Sequence, residues 1–306
     1  MAEILKLTYG TFPKTEKLRV RIGRWERKIL SAKELEALIQ EETDQFQKLA
    51  RDSGISAFTD PLFNWYDIFR PISLLSGGIE LGPLTRYGET NTFYRLPEVR
   101  GELSLTASPD VYLELKENPP LPLYHIDQGP NRLAFVPGPV TFFHFCGNIA
   151  GNNFEAFSEK LGKLYGKLLS SFRFQKVLVF ESVPLGQHNL GQFFKSVDPE
   201  NVILVTTGKL EEKTLETAGK KFHSVVTNAE KENLKAAAGH SSIPGLALID
   251  AHNTKLEDPK AITEKINALG KEHNISKFYV THSDYLDFLP RKIAEKKVQL
   301  IGKVGE

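Results

Sequence analysis

Residues able to do anion-binding, acid–base or metal chemistry are unevenly spread along this 306-residue chain. The densest set follows an apolar run, Ile4 to Tyr9. Gly10 and Pro13 end the run, and Lys14, Lys17, Arg19, Arg21 and Arg24 come next. Such a run reads as a buried strand. A cationic loop after it stands at the strand's C-terminal end, where open and barrelled α/β folds keep their sites. A flexible polyanion needs cations on a fixed base, and Arg adds bidentate geometry for carboxylates. A solvated basic turn after an edge strand would carry the same charges, so both readings stand. His144-Phe-Cys146 has the spacing of a metal-binding pair. Cys146 lies among Phe142, Phe143 and Phe145, however, the setting of a small buried apolar residue. It is the only cysteine, which excludes an internal disulfide and any zinc site with more than one thiolate. His282 and Asp284 offer hard ligands further on. The loop from Gly147 to Asn153 is rich in Gly and Asn but matches no phosphate-loop spacing.

The elements that position these residues follow from periodicity. Ser31-Ala-Lys-Glu34 is a capping-box pattern opening a helix to about Arg51, with Leu35, Leu38, Ile39 and Phe46 as its stripe. Gly54 stops it, and Ile55 to Phe58 is a second strand. Asp60 to Glu98 is less regular, with a short helix around Trp65 to Leu75 and a long excursion marked by Gly77, Gly78, Gly82 and Pro83. Leu103 to Leu105 suggests a peripheral strand, and Asn118-Pro-Pro-Leu-Pro122 a rigid connection. From Leu133 the rhythm is regular. Strand-like runs lie at Leu133–Val136, Val177–Phe180, Val202–Val205, Phe222–Val226, Leu246–Ile249 and Phe278–Val280. Helical runs such as Phe154–Phe172, Leu210–Gly219 and Pro259–Leu269 separate them. Alternating strands and helices imply a parallel sheet, and the first two strands bring the count to eight. The expected fold is α/β: a single (βα)8 TIM-type barrel over residues 1–306, with a long irregular excursion after strand two. The tail from Val298 to Val304 reads as strand-like without a place in that scheme.

Composition sets bounds. The chain is long enough to bury a sizeable core, and a net charge of +1 argues against a general nucleic-acid binder. No window of about 18 apolar residues marks a membrane span. The N-terminus lacks a signal pattern, so a cytoplasmic location is expected.

Several segments, in order, resemble the cobalamin-independent methionine synthases. Tyr9-Gly-Thr-Phe-Pro13 with its basic sequel is similar to the turn that opens both barrels of that family. Trp25 through Ser31 resembles a Trp-x-Gly-x-Ile-Ser segment, with Arg27 in place of Gly. Gly88-Glu-Thr-Asn91-Thr-Phe-Tyr94-Arg95-Leu-Pro97-Glu98 is similar to a segment of the N-terminal barrel. Gly138-Pro-Val-Thr141 matches a strand end, and Leu248-Ile-Asp250-Ala-His252-Asn253 resembles the end of strand seven. The resemblance covers nearly the whole chain. It implies methyl transfer from a methyltetrahydropterin to homocysteine, activated as a zinc thiolate.

The resemblance also shows what is missing. Thr207 and Lys209 stand where the catalytic barrel has zinc-binding His and Cys, Asn228 where it has Glu, with no carboxylate until Glu230, and Asp284 near its last Cys. The chain thus resembles the N-terminal, zinc-less barrel made as a stand-alone chain of the archaeal type. No cofactor is expected on it, and zinc belongs to a separate catalytic barrel as partner. By the same resemblance, Lys17 and Arg19, joined by Lys14, meet the anionic tail of the donor. Asp60 and Glu181 stand at carboxylate positions of strand ends two and four, and Asn91 belongs to a polar cluster with Tyr94 and Arg95. His252 falls where a His delivers a proton to the pterin, or is a polar pocket residue. Two alternatives remain: a self-sufficient methyltransferase using His252, or a non-catalytic scaffold or ligand-binding barrel.

Overall fold

The computed structural model describes residues 1–88, 90, 92–106, 123–127, 129–147 and 153–306. Among these, short runs of Val, Ile, Leu and Phe form eight parallel strands that close on themselves. In chain order the first half comprises β1 (Glu3–Thr8), α1 (Glu16–Glu26), α2 (Ala32–Asp52), β2 (Ala57–Thr59), α3 (Arg70–Leu75), β3 (Ser76–Arg86), β4 (Phe93–Leu105), β5 (Arg132–Pro137) and α4 (Pro139–Phe145). The second comprises α5 (Phe154–Ser170), β6 (Lys176–Phe180), α6 (Gly191–Phe194), β7 (Val202–Val205), α7 (Glu212–Glu216), β8 (Ser224–Thr227), α8 (Lys231–His240), β9 (Gly245–Ile249), α9 (Pro259–His273), β10 (Lys277–His282) and α10 (Arg291–Lys303). The barrel runs β1-β2-β5-β6-β7-β8-β9-β10 and back to β1, where Ile4 pairs with Phe278 and Leu7 with Ala57. Strands such as Val202–Val205 and Ser224–Thr227 are buried along their whole length, as parallel strands covered on both faces must be.

The excursion after the second barrel strand is present, and its described part is regular: β3 and β4 pair as an antiparallel hairpin. Gly78, at φ +84°, sits where a Cβ would meet the Glu102 carbonyl oxygen at 2.3 Å, so the hairpin can close only on glycine. Two further expectations change. The basic segment after β1 is not a loop: Thr15 accepts the Leu18 N–H and caps α1, which carries Lys17 through Arg24. The Val298–Val304 tail is not a strand but the end of α10, whose Ala294, Val298 and Ile301 recur at helical spacing and are buried. The capping box of α2 is formed as expected, Ser31 and Glu34 satisfying each other's backbone N–H groups. No helix among the described residues is long and apolar enough to cross a membrane.

Candidate functional site

The C-terminal ends of the barrel strands converge on a mouth flanked by α1 and the β3–β4 hairpin. At its seam, His282 ends β10 and is fully buried. Its Nδ1–H donates to the Asp284 carbonyl at 2.7 Å, so Nε2 is an acceptor. That nitrogen receives the Tyr9 N–H at 3.2 Å and the Thr8 hydroxyl at 3.0 Å. The Tyr9 ring stacks on the imidazole at 4.4 Å. Burial pushes the pKa down to about 4 and keeps the ring neutral. Both nitrogens are taken by the seam, so His282 is a closure residue rather than a metal ligand.

His252 is placed differently. The loop after β9 is fixed by Asp250, whose carboxylate accepts the His252 N–H at 2.7 Å and a bond from the Asn253 amide. The buried ammonium of Lys297, from α10, donates to the Asp250 and Lys255 carbonyls at 2.6 and 2.8 Å and pairs with Glu257 at 3.0 Å. On this base His252 lies against Phe288, its ring stacked at 5.2 Å, with Nε2 at 3.2 Å from Asp284 Oδ2. Its side chain stays 53% exposed. The hydrogen bond to Asp284 raises the imidazole pKa; burial opposes, and the charges of Asp284 and Asp250 add to the rise. The pair can therefore present a proton at the mouth to a ligand atom.

The two strand-end carboxylates are both fully buried. Glu181 follows β6 and closes the N-terminus of α4, accepting the N–H groups of Val140 at 3.0 Å and Thr141 at 2.6 Å. Gly138, the N-cap, has no side chain to do so, and a Cβ there would lie 2.2 Å from the Glu181 carboxyl carbon. Burial lifts the Glu181 pKa to about 7 against those bonds. Asp60 follows β2 and accepts the N–H groups of Leu62 at 2.7 Å, Ile126 at 3.0 Å and His125. Burial raises its pKa too. Both carboxylates act as clamps on local backbone.

Among the cations, Lys17 pairs with Glu41 of α2 at 3.2 Å, and Arg19 with Glu16 at 3.4 Å. Two residues apart on a helix they diverge by about 200°, so they do not form one grip. Lys14 is half-buried, and its ammonium donates to the Trp65 carbonyl at 3.1 Å. Burial lowers its pKa, while Asp287 raises it. Asn91 lies outside the described residues, as do residues 148–152 of the Gly/Asn loop and the 118–122 connection. Its neighbours Tyr94 and Arg95 are on β4; Tyr94 donates to the Phe145 carbonyl at 3.1 Å, tying hairpin to α4.

Sequence reasoning missed the aromatic side of the mouth. A crevice of about 50 Å³ is lined by Tyr87, Phe93, Tyr285, Asp287 and Phe288 among others. The Tyr285 hydroxyl is buried with no hydrogen-bond partner among the described residues. The available signal was Tyr285 and Phe288 close behind the last strand end.

The residues present do not fit the zinc–thiolate site of the resemblance. Cys146 ends α4, and burial pushes its thiol up to about 12, far from thiolate. Lys209 is exposed and paired with Glu211 at 2.8 Å; Asn228 accepts from Asn233 at 2.8 Å. Among the described residues, three metal-ligating groups come together only at Glu212, Glu216 and His240, on α7 and α8.

No family model matches the chain, and no curated protein sequence matches it. Solved structures do. A B12-independent methionine synthase from Shewanella sp. W3-18-1, in complex with selenomethionine, superposes with a TM-score of 0.71 at 12% identity, covering 99% of this chain and 96% of that one. A putative vitamin-B12-independent methionine synthase from Listeria monocytogenes gives 0.65 at 13% identity, covering 95% and 93%. At such identities the likeness is one of fold: this chain has the α/β barrel fold of B12-independent methionine synthase structures.

Proposed function

We propose that the chain is the zinc-less member of a two-barrel methyl-transfer system. It holds a methyltetrahydropterin at its mouth while a separate zinc-bearing methionine synthase catalytic barrel presents homocysteine. The observation that carries this reading is a barrel like those of methionine synthases over almost its whole length whose strand ends bear Thr207, Lys209, Asn228 and Asp284. Phe288 and Tyr285 offer a flat wall and a hydroxyl unpartnered among the described residues to the pterin ring. Lys14, just before α1, and Arg19, in its first turn, supply charge for its anionic tail, and Lys17 serves a tail that wraps the helix. His252, held by Asp284, keeps a proton beside the ring. The test is calorimetric titration with methyltetrahydrofolate and its oligoglutamates, together with methionine formation by a catalytic barrel with and without this chain. Binding that strengthens with glutamate number and weakens in Arg19→Glu supports the reading. No binding, no association and no effect on rate would sink it.

One observation favours a second reading. The Shewanella synthase chain is matched over 96% of its length by this single barrel, so one barrel of this size carries that protein's name. A self-sufficient methyltransferase would use His252–Asp284 as its acid. Methyl transfer by the isolated chain, lost in His252→Ala, would establish it.

A further inference from the structure

Beside the mouth lies a larger cleft that the proposed function does not use. It encloses about 590 Å³ between the end of α1, the Tyr66–Arg70 segment and the hairpin. Its lining combines three aromatic rings, Trp25, Tyr66 and Phe93, with three cations, Lys28, Arg70 and Arg95. Glu26 also lines it and accepts a hydrogen bond from Tyr66. Arg70 is buried, pairs with Asp67 at 3.3 Å and lies over the Tyr66 ring at 4.9 Å. Phe93 and Leu84 are 51% and 59% exposed, so the hairpin presents apolar surface to open solvent here.

The backbone gives an independent observation. At the end of α1 the Lys28 N–H bonds to the Trp25 carbonyl at 2.8 Å and the Ile29 N–H to the Arg24 carbonyl at 2.9 Å. This is the helix-ending motif whose left-handed position usually belongs to glycine. Here Lys28 holds it, at φ 60°. A lysine there strains the backbone where glycine would not. Lys28 lines the cleft, and strain retained at a cleft points to a use for that residue.

We propose that this cleft binds a planar aromatic anion, its ring against Trp25, Tyr66 and Phe93 and its carboxylate or phosphate at Lys28, with Arg95 adding field while Arg70 is held by Asp67. The pairing follows from chemistry: aromatic walls take a flat ring, and Lys and Arg take the charge. Tyr66 and Phe93 also line the mouth crevice, so an occupant of the cleft lies against the same two rings as a ligand at the mouth.

Fluorescence tests this directly. The chain has two tryptophans. Trp65 is 1% exposed, its indole N–H donating to the Leu123 carbonyl, whereas Trp25 lines the cleft. Titration with adenosine monophosphate and with 2-naphthoate should quench Trp25, and the larger loss of affinity from an anion to its own neutral counterpart shows whether phosphate or carboxylate is preferred. The neutral counterparts, adenosine and 2-naphthylmethanol, should bind about tenfold more weakly. Lys28→Gly should raise Tm by about 2 °C by relieving the left-handed strain while weakening the anionic probe about tenfold; Phe93→Ala should weaken all probes. No quenching by either anion at 10 mM, on the order of the weakest useful affinities, would overturn the proposal. So would neutral probes binding as tightly as the anions, or Lys28→Gly binding the anions as tightly as the wild type.

Discussion

Replacing Glu181 with Gln separates a structural carboxylate from a ligand-binding one. Gly138 offers α4 no side-chain cap, so Glu181 does that work from the neighbouring strand, accepting two N–H groups through its two oxygens. In Glu181→Gln one oxygen becomes an NH₂ that faces a donor, leaving a buried N–H unpaired at a cost of about 1–3 kcal/mol. A second effect opposes it. The carboxyl is raised from its ordinary 4.5 to about 7 because burial penalises its charge. Folding therefore favours the protonated form. That stabilisation is fully present below the unfolded value of 4.5 and is lost as pH rises through 7, a change of about 3 kcal/mol at ~1.4 kcal/mol per decade. Gln cannot ionise and escapes the loss. The variant should thus be about 1–3 kcal/mol less stable than wild type at pH 5, and the gap should close at pH 8. Urea unfolding at the two pH values, followed by tryptophan fluorescence, measures both numbers. A gap that is independent of pH, or that widens towards pH 8, refutes the reasoning about burial. Unchanged stability at pH 5 refutes the role as a cap and returns Glu181 to the ligand.

Three other outcomes are expected. Asp284→Asn removes the hydrogen-bonded carboxylate beside His252, so the imidazole titrates at lower pH; NMR titration of the His252 ring protons reads this. Because that pKa is raised in the fold, the pair's small stabilisation is present below the imidazole's ordinary value and fades as pH rises through the folded one. Tyr285→Phe removes a buried hydroxyl that has no partner among the described residues, so Tm should hold or rise by the equivalent of up to about 1 kcal/mol, while calorimetry should show weaker methyltetrahydrofolate binding. Lys297→Met leaves Glu257 and two carbonyls without their buried ammonium, and a loss of about 3–5 kcal/mol is expected on denaturation. Hydrogen exchange should then quicken over the 250–258 loop that carries His252.

The barrel was legible because strands buried on both faces leave runs of apolar residues that survive any detail of packing. Val202–Val205 is read identically from sequence and structure. Helix starts were legible where the cap is local, as at Ser31 and Glu34. The tail failed because Val298-Gln-Leu-Ile301 satisfies either period over so short a span; Ala294, one turn earlier, resolves it as a helix. The basic segment failed for another reason: Thr15 is a cap, but the charges after it drew attention to surface chemistry rather than to the buried Leu18 and Ile22. Asp60 and Glu181 could be placed at strand ends by position. That their oxygens are taken by backbone from Val140, Thr141, His125 and Ile126 depends on tertiary approach, which no local pattern records. The Asp284–His252 pair likewise joins two loops that the pairing of β9 with β10 brings together.

That closure has a temporal side. The seam is made by β1 against β10, and His282 bonds back to Thr8 and Tyr9 across more than 270 residues of chain. During synthesis at ~5–20 residues per second, β1 emerges and then waits on the order of tens of seconds for its second neighbour to be made. Throughout that interval one edge of the nascent sheet is unpaired and the Ile4 and Leu5 backbone is open to wrong partners. The exposure falls on the ribosome, before any ligand or partner is relevant, and yield in the cell would respond to whatever shields this first strand until the last one arrives.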